Sequence, residues 1–196
     1  MEIAVEMVKE LRTRTGAGVL DCRKALQETE GDLDAAARLL RERGLAEAAK
    51  RAGREARDGR VEAYVHPGNY IAVLLELNCE TDFVARTDSF VHLAHELAMQ
   101  VAATNPRYLA KEDVPGAILD EERAVYRSQI EDNKPPQVVE RIVEGKLGKF
   151  YEETCLLEQP SIRTPERKIK DMVTELAAQV GENLVVRRFV RYELGA

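Results

Sequence analysis

The stretch Val61-Glu62-Ala63-Tyr64-Val65-His66-Pro67-Gly68-Asn69-Tyr70-Ile71-Ala72-Val73-Leu74-Leu75-Glu76-Leu77 decides the fold class. Val61, Ala63 and Val65 recur every second residue, and so do Ile71, Val73, Leu75 and Leu77. A period of two is the mark of a strand with unlike faces. Between the runs lies His66-Pro67-Gly68-Asn69, where proline presets one turn angle and glycine accepts positive φ. The stretch predicts a β-hairpin.

Upstream the period is helical. Ile3, Met7, Val8 and Leu11 form one stripe, ended by Thr15-Gly16-Ala17-Gly18. A second helix carries Leu20, Ala25 and Leu26, with Asp21 near its positive end. Gly31-Asp32 stops it, and Asp32 is placed to cap a third helix with Leu33, Ala36, Leu39 and Leu40. Residues 1–45 therefore read as a compact three-helix bundle. Ala46 to Arg57 is rich in Ala, Arg, Lys and Glu, and reads as an exposed linker helix within a linker at 46–59.

Downstream, Phe90, Leu93, Ala94, Leu97 and Val101 mark a helix. Two more are expected at 118–132 and 136–154, the second striped by Val139, Ile142, Val143, Leu147, Phe150 and Tyr151. Asn133-Lys134-Pro135-Pro136 divides them into a helical hairpin. Thr164-Pro165-Glu166 opens a last helix through Ile169, Met172, Val173, Leu176 and Val180. Gly181 closes it, and Leu184 to Tyr192 is a final strand. Residues 60–196 are thus an α+β core, a small antiparallel sheet carrying helices and a helical hairpin.

A hydrophobic content of 44% over 196 residues supports a real core. The longest apolar run of the strands, Ile71 to Leu75, is far too short to cross a membrane. The acidic start Met1-Glu2-Ile3-Ala4-Val5-Glu6 is neither a secretory signal nor a transit peptide, so the cytoplasm is expected. Cys22, Cys79 and Cys155 lie far apart and read as reduced structural thiols. The net charge of −6 argues against a chain built mainly to hold nucleic acid. Residues 38–60 nevertheless hold eight basic and four acidic side chains. That run could touch RNA, or be one solvated helix face.

A search for chemistry finds little. No glycine-rich phosphate loop of either common spacing is present, and Gly16-Ala17-Gly18 follows a helix where a dinucleotide fold needs a strand. His92 and His95 could pair on a metal, but no third ligand lies near them. Ser89 and Ser161 lack the context of a nucleophile. No catalytic residue, metal site or cofactor is expected, and the chain is expected not to be an enzyme.

Two features point elsewhere. Gly18-Val19-Leu20 puts two large apolar residues where a helix should begin with polar caps; they either plug the bundle or form an exposed tip for a partner. Asn78-Cys79-Glu80-Thr81-Asp82-Phe83-Val84-Ala85-Arg86 sits at the strand exit, in what should be a tight turn. Its Phe83 either tucks under the sheet or serves as an aromatic interface anchor.

Leu11-Arg12-Thr13-Arg14-Thr15-Gly16-Ala17-Gly18-Val19-Leu20-Asp21-Cys22-Arg23-Lys24-Ala25-Leu26 resembles the N-terminal signature of the bacterial elongation factor Ts family. Glu76-Leu77-Asn78-Cys79-Glu80-Thr81-Asp82-Phe83-Val84-Ala85 resembles its second signature. Asn133-Lys134-Pro135, Glu144-Gly145-Lys146, Leu157-Glu158-Gln159-Pro160 and Gly181-Glu182-Asn183 before Arg187-Arg188 extend the likeness, in order, from about residue 3 to the C-terminus.

The resemblance implies guanine-nucleotide exchange on elongation factor Tu, the GTPase that delivers aminoacyl-tRNA. It implies a ubiquitin-associated-like N-terminal bundle that docks through Val19 and Leu20 with Arg23 or Lys24. It also implies that Thr81, Asp82, Phe83 and Val84 form the working turn, with Phe83 entering an apolar pocket of the GTPase, Asp82 acting on its switch helix, and Mg²⁺ losing its site. Longer members carry a two-half core and a C-terminal helical module. A single sheet-plus-helices unit ending at Gly195-Ala196 therefore leads to the expectation of a homodimer. An RNA- or ribosome-binding protein using 38–60 and an enzyme using His92 and His95 are the alternatives; neither accounts for the two signatures.

Overall fold

The computed structural model describes residues 3–130 and 134–196. The division expected at Asn133, and the end of the helix expected at 118–132, lie outside the described residues. The element order is α1 (Val5–Thr15), α2 (Val19–Glu28), α3 (Leu33–Arg51), β1 (Asp58–Val65), β2 (Ile71–Cys79), α4 (Asp82–Ala85), α5 (Asp88–Thr104), α6 (Gly116–Ser128), α7 (Pro136–Thr154), α8 (Ile169–Val180) and β3 (Val185–Glu193). The class is α+β, with one three-stranded antiparallel sheet in the order β1-β2-β3. The chain forms two compact units. One gathers the residues up to Arg60 with Asn78–Val91 and Met172–Val185, and the other holds Val61–Leu77, His92–Asp171 and Val186–Ala196.

In the first unit, local chemistry marks the helix ends. Gly16, at φ 69°, ends α1 with its N–H on Arg12 O at 2.8 Å. The Asp32 carboxylate accepts the Asp34 and Ala35 N–H groups at 2.9 Å each and starts α3. Val8, Leu11, Cys22, Ala25, Leu26 and Ala36 form the bundle core, with Leu33, Leu39 and Leu40 packed against it. Cys22, not Leu20, occupies the inward position on the first turn of α2. The linker helix expected over 46–57 is the end of α3, which runs unbroken to Arg51 and buries Ala48. Leu45 and Ala48 continue the inward stripe of α3, so nothing breaks it there. Arg41 pairs with Glu175 of α8 at 2.7 Å, and a side chain at Gly44 would come within 3.1 Å of Ala178.

In the second unit, His66 N–H on Ile71 O closes the β1–β2 hairpin, and Leu194 N–H on Tyr70 O pairs β2 with the end of β3. Val73, Leu75 and Leu77 face inward, as do the Leu93, Ala94, Leu97 and Val101 stripe of α5. On β1 the parity is the reverse of an apolar-inward strand. Val61, Ala63 and Val65 face out, and Glu62 and Tyr64 face in. The reason is a polar pairing that burial tolerates: Glu62 Oε1 meets His95 Nδ1 at 3.0 Å, and the Tyr64 ring stands edge-on to that imidazole. Helices α6 and α7 pack together as the expected hairpin, tied by Arg127–Glu140 at 2.8 Å and by Lys146 over the Tyr126 ring. The last helix starts at Ile169, later than the Thr164-Pro165-Glu166 signal. That stretch is a turn instead, closed by Arg167 N–H on Thr164 O at 2.9 Å, with Ser161 Oγ accepting the Arg163 and Thr164 N–H groups before it.

Candidate protein-contact site

Strand β2 ends at Cys79, and the chain enters the single-turn helix α4. The tight turn expected here is this helix. Thr81 Oγ1 caps it by accepting Val84 N–H at 3.5 Å, and Thr87 Oγ1 donates to Val84 O at 2.8 Å on leaving it. Within this turn Ala85 is buried, Val84 is half-buried, and Asp82 pairs with Arg86 at 2.7 Å. Phe83 points outward with 80% of its surface exposed. Of the two readings left open by its sequence context, tucking under the sheet is excluded.

The turn is held from 101 to 102 residues away in the sequence. Gly181, at φ 77°, ends α8 and swings the chain so that Glu182 reaches back. One oxygen of Glu182 accepts the Glu80 and Thr81 N–H groups at 3.0 Å each, and the other accepts Thr81 Oγ1 at 2.6 Å. The contact is reciprocated: Asn183 N–H donates to Glu80 Oε1 at 2.7 Å. Asn183 Nδ2 then donates to Arg54 O at 2.7 Å and Ala52 O at 3.3 Å, tying the end of α3 to the same node. Cys79 Sγ donates to Thr81 O at 3.0 Å. Burial, with the Glu182 charge second, pushes this thiol up to about 11, so it stays a donor at neutral pH. Sequence reasoning passed over Glu182 and Asn183 as functional residues. Their signals are the family likeness of Gly181-Glu182-Asn183, which assigned them no role, and an acid directly after a helix-ending glycine.

The other expected contact residues sit at the start of α2. Val19 and Leu20 are 53% and 71% exposed, so neither plugs the bundle; Arg23 and Lys24 are exposed one turn on. Elsewhere the expected candidates disperse. His92 faces Glu96 at 3.3 Å while His95 faces Glu62, so the two do not converge. Among the described residues no group of three His, Cys, Asp or Glu side chains could hold a metal. Cys22, Cys79 and Cys155 are free and buried. No described helix is long and apolar enough to cross a membrane.

Phe83, on a turn held by hydrogen bonds from Glu182, and Val19 with Leu20, at the start of α2, are thus large apolar side chains left exposed. Comparison with known proteins gives the chain its family. The family model described as elongation factor TS matches residues 42–196. The chain is 55% identical over 195 residues to elongation factor Ts of Thermodesulfovibrio yellowstonii, covering 100% of this chain and 98% of the relative. It is 56% identical over 197 residues to that of Herpetosiphon aurantiacus, with all of both chains covered. Against that of Carboxydothermus hydrogenoformans it is 55% identical over 194 residues, covering 98% of this chain and 89% of the relative. The chain belongs to the elongation factor Ts family.

Proposed function

We propose that this protein is the guanine-nucleotide exchange factor of elongation factor Tu in the cytoplasm, acting as a homodimer and without chemistry of its own. The observation that carries the reading is Phe83, a large apolar ring held out into solvent by a turn whose Glu80, Thr81 and Val84 N–H groups are all hydrogen-bonded. An exposed aromatic on a preorganised support concentrates interface energy, because little ordering is left to be done on binding.

The mechanism is steric and electrostatic. Phe83 enters an apolar pocket of the GTPase domain, and Asp82 and its neighbours Thr81 and Val84 press on the adjacent switch helix. Mg²⁺ tolerates only near-octahedral geometry, so displacing one supporting element by about an ångström or two costs the GTPase its metal. The phosphates of GDP then lose part of their neutralising charge and the nucleotide leaves faster. Because binding free energies are reciprocal, nucleotide weakens factor binding by the ratio that factor weakens nucleotide binding. GTP, in surplus, then rebinds and releases the factor.

In the division of labour proposed here, residues 1–45 dock, 46–59 link, and 60–196 carry the working turn and the dimer contact. Docking rests on Val19 and Leu20, with Arg23 and Lys24 as flanking charges. Changing both Val19 and Leu20 to serine removes two exposed apolar groups and no core. Titration of GDP release against factor concentration should then show half-saturation raised roughly tenfold or more, with the plateau rate preserved. A lowered plateau at unchanged half-saturation contradicts the docking role.

The dimer is carried by the outward face of the sheet. The hairpin and the Tyr70–Leu194 pair set a register that aligns Ala63, Leu74 and Val190 in one row and Val65, Ala72 and Tyr192 in the next. Leu74 and Tyr192 are 47% and 69% exposed, in the middle strand and at one edge. An apolar face on an open three-stranded sheet is matched by a second copy of itself about a two-fold axis.

A further inference from the structure

We infer that Glu182 is a positioning residue for nucleotide exchange: its carboxylate holds the Phe83 turn in the one geometry that can act. The inference rests on the reading of Phe83 given above. It starts from the polarity of three hydrogen bonds. Glu182 Oε2 accepts the N–H groups of Glu80 and Thr81, and Oε1 accepts the Thr81 hydroxyl at 2.6 Å. A carboxylate can only accept, so the single hydroxyl proton of Thr81 is committed to Glu182. The Thr81 oxygen is thereby left with its lone pairs toward Val84 N–H, where it caps α4 two residues from Phe83.

The backbone of the turn and the start of α4 are therefore both oriented by one side chain from a distant segment. Glu182 itself is displayed by the left-handed Gly181 and steadied by the Asn183 bonds to Glu80 and to the end of α3. Phe83 is too exposed to be oriented by packing. Its direction comes from the backbone of residues 80–84, and that backbone is what Glu182 holds.

Glutamine keeps the shape of Glu182 and reverses half of its hydrogen bonding. If its oxygen takes the two backbone N–H groups, its amide donates to Thr81 Oγ1 and the Thr81 proton, left without its acceptor, turns into the cap at Val84; if its amide faces the backbone, two donors oppose a third. Either way the turn samples other geometries. Docking through Val19 and Leu20 is unaffected, so the loss falls on the plateau rate and not on half-saturation. A turn competent for about a tenth of the time lowers the plateau about tenfold.

The test is GDP release from elongation factor Tu, titrated with full-length parent, Glu182→Gln, Thr81→Val, the double variant and Phe83→Ala. Glu182→Gln should melt within a few degrees of the parent and show a plateau about tenfold lower, with half-saturation changed less than about threefold. The double variant should be about as slow as the slower single one, because both changes break one arrangement. Four results overturn the inference. The first is a full plateau rate in Glu182→Gln while Phe83→Ala loses it, which leaves the reading of Phe83 intact. The second is a full rate in Phe83→Ala, which removes that reading and this one together. The third is multiplied losses in the double variant. The fourth is a melting point of Glu182→Gln lowered by more than about ten degrees, which would make the carboxylate a support of the fold instead of the turn.

Discussion

Replacing Phe83 by alanine is expected to leave thermal stability within about two degrees of the parent while slowing GDP release from elongation factor Tu roughly tenfold or more. The two halves of this result come from one fact. With 80% of its surface in water, the ring contributes little to the folded state, and an exposed truncation of this kind shifts stability by about 0.5 kcal/mol or less. In the complex the same ring is the largest apolar group that the turn can bury. A core phenylalanine would behave in the opposite way, costing about 3–5 kcal/mol on truncation. Phe90, fully buried only seven residues on, provides the internal contrast: Phe90→Ala should lower the melting point by many degrees. Calorimetry on both variants, alongside the release assay, separates the two behaviours.

A second large effect is expected on assembly. Leu74→Asp places a carboxylate in the middle of the outward sheet face, and in a two-fold dimer it brings two such charges toward each other. Because Leu74 is half exposed on the free chain, the substitution should leave each chain folded. Sedimentation equilibrium at micromolar concentration, under reducing conditions, should give twice the 22.0 kDa chain mass for the parent and the single chain mass for the variant. The reducing conditions matter to the reading, since all three cysteines are buried and none is needed for association. A parent that sediments as one chain removes the dimer.

Much of this fold was legible because its signals are local. Gly16, Asp32 and Gly181 stop or start helices through their own backbone freedom or side chains, and each does so in the structure. The stripe of α5 and the alternation of β2 are likewise properties of a dozen residues or fewer. What was hidden depends on partners far away in the chain. The parity of β1 cannot be read from Val61, Ala63 and Val65, because its inward face is made habitable by His95, thirty-three residues on. The start of α8 is delayed by a turn at Thr164–Arg167, which the Ser161 hydroxyl and the Pro160–Lys168 bridge frame from outside.

The proposed contact residues divide in the same way. Phe83 and the Val19-Leu20 pair stood out because large apolar groups were set among polar ones, and the structure exposes all three. Glu182 stood in a stretch that resembles the family, but nothing about it pointed to a role. An acid on a loop is ordinary, and only the fold brings it against Glu80 and Thr81 at separations of 102 and 101 residues. Exposed apolar side chains are therefore easier to read from sequence than the distant groups that hold their backbone in place.

The central claim is that this chain lowers the barrier to nucleotide loss from elongation factor Tu. Stopped-flow release of fluorescently labelled GDP, measured with increasing amounts of this protein, tests it directly. The rate constant should climb with factor concentration to a plateau well above spontaneous release, with no nucleotide hydrolysis by the factor alone. A release rate that stays at its spontaneous value across the whole titration, with the complex nonetheless formed, would contradict it.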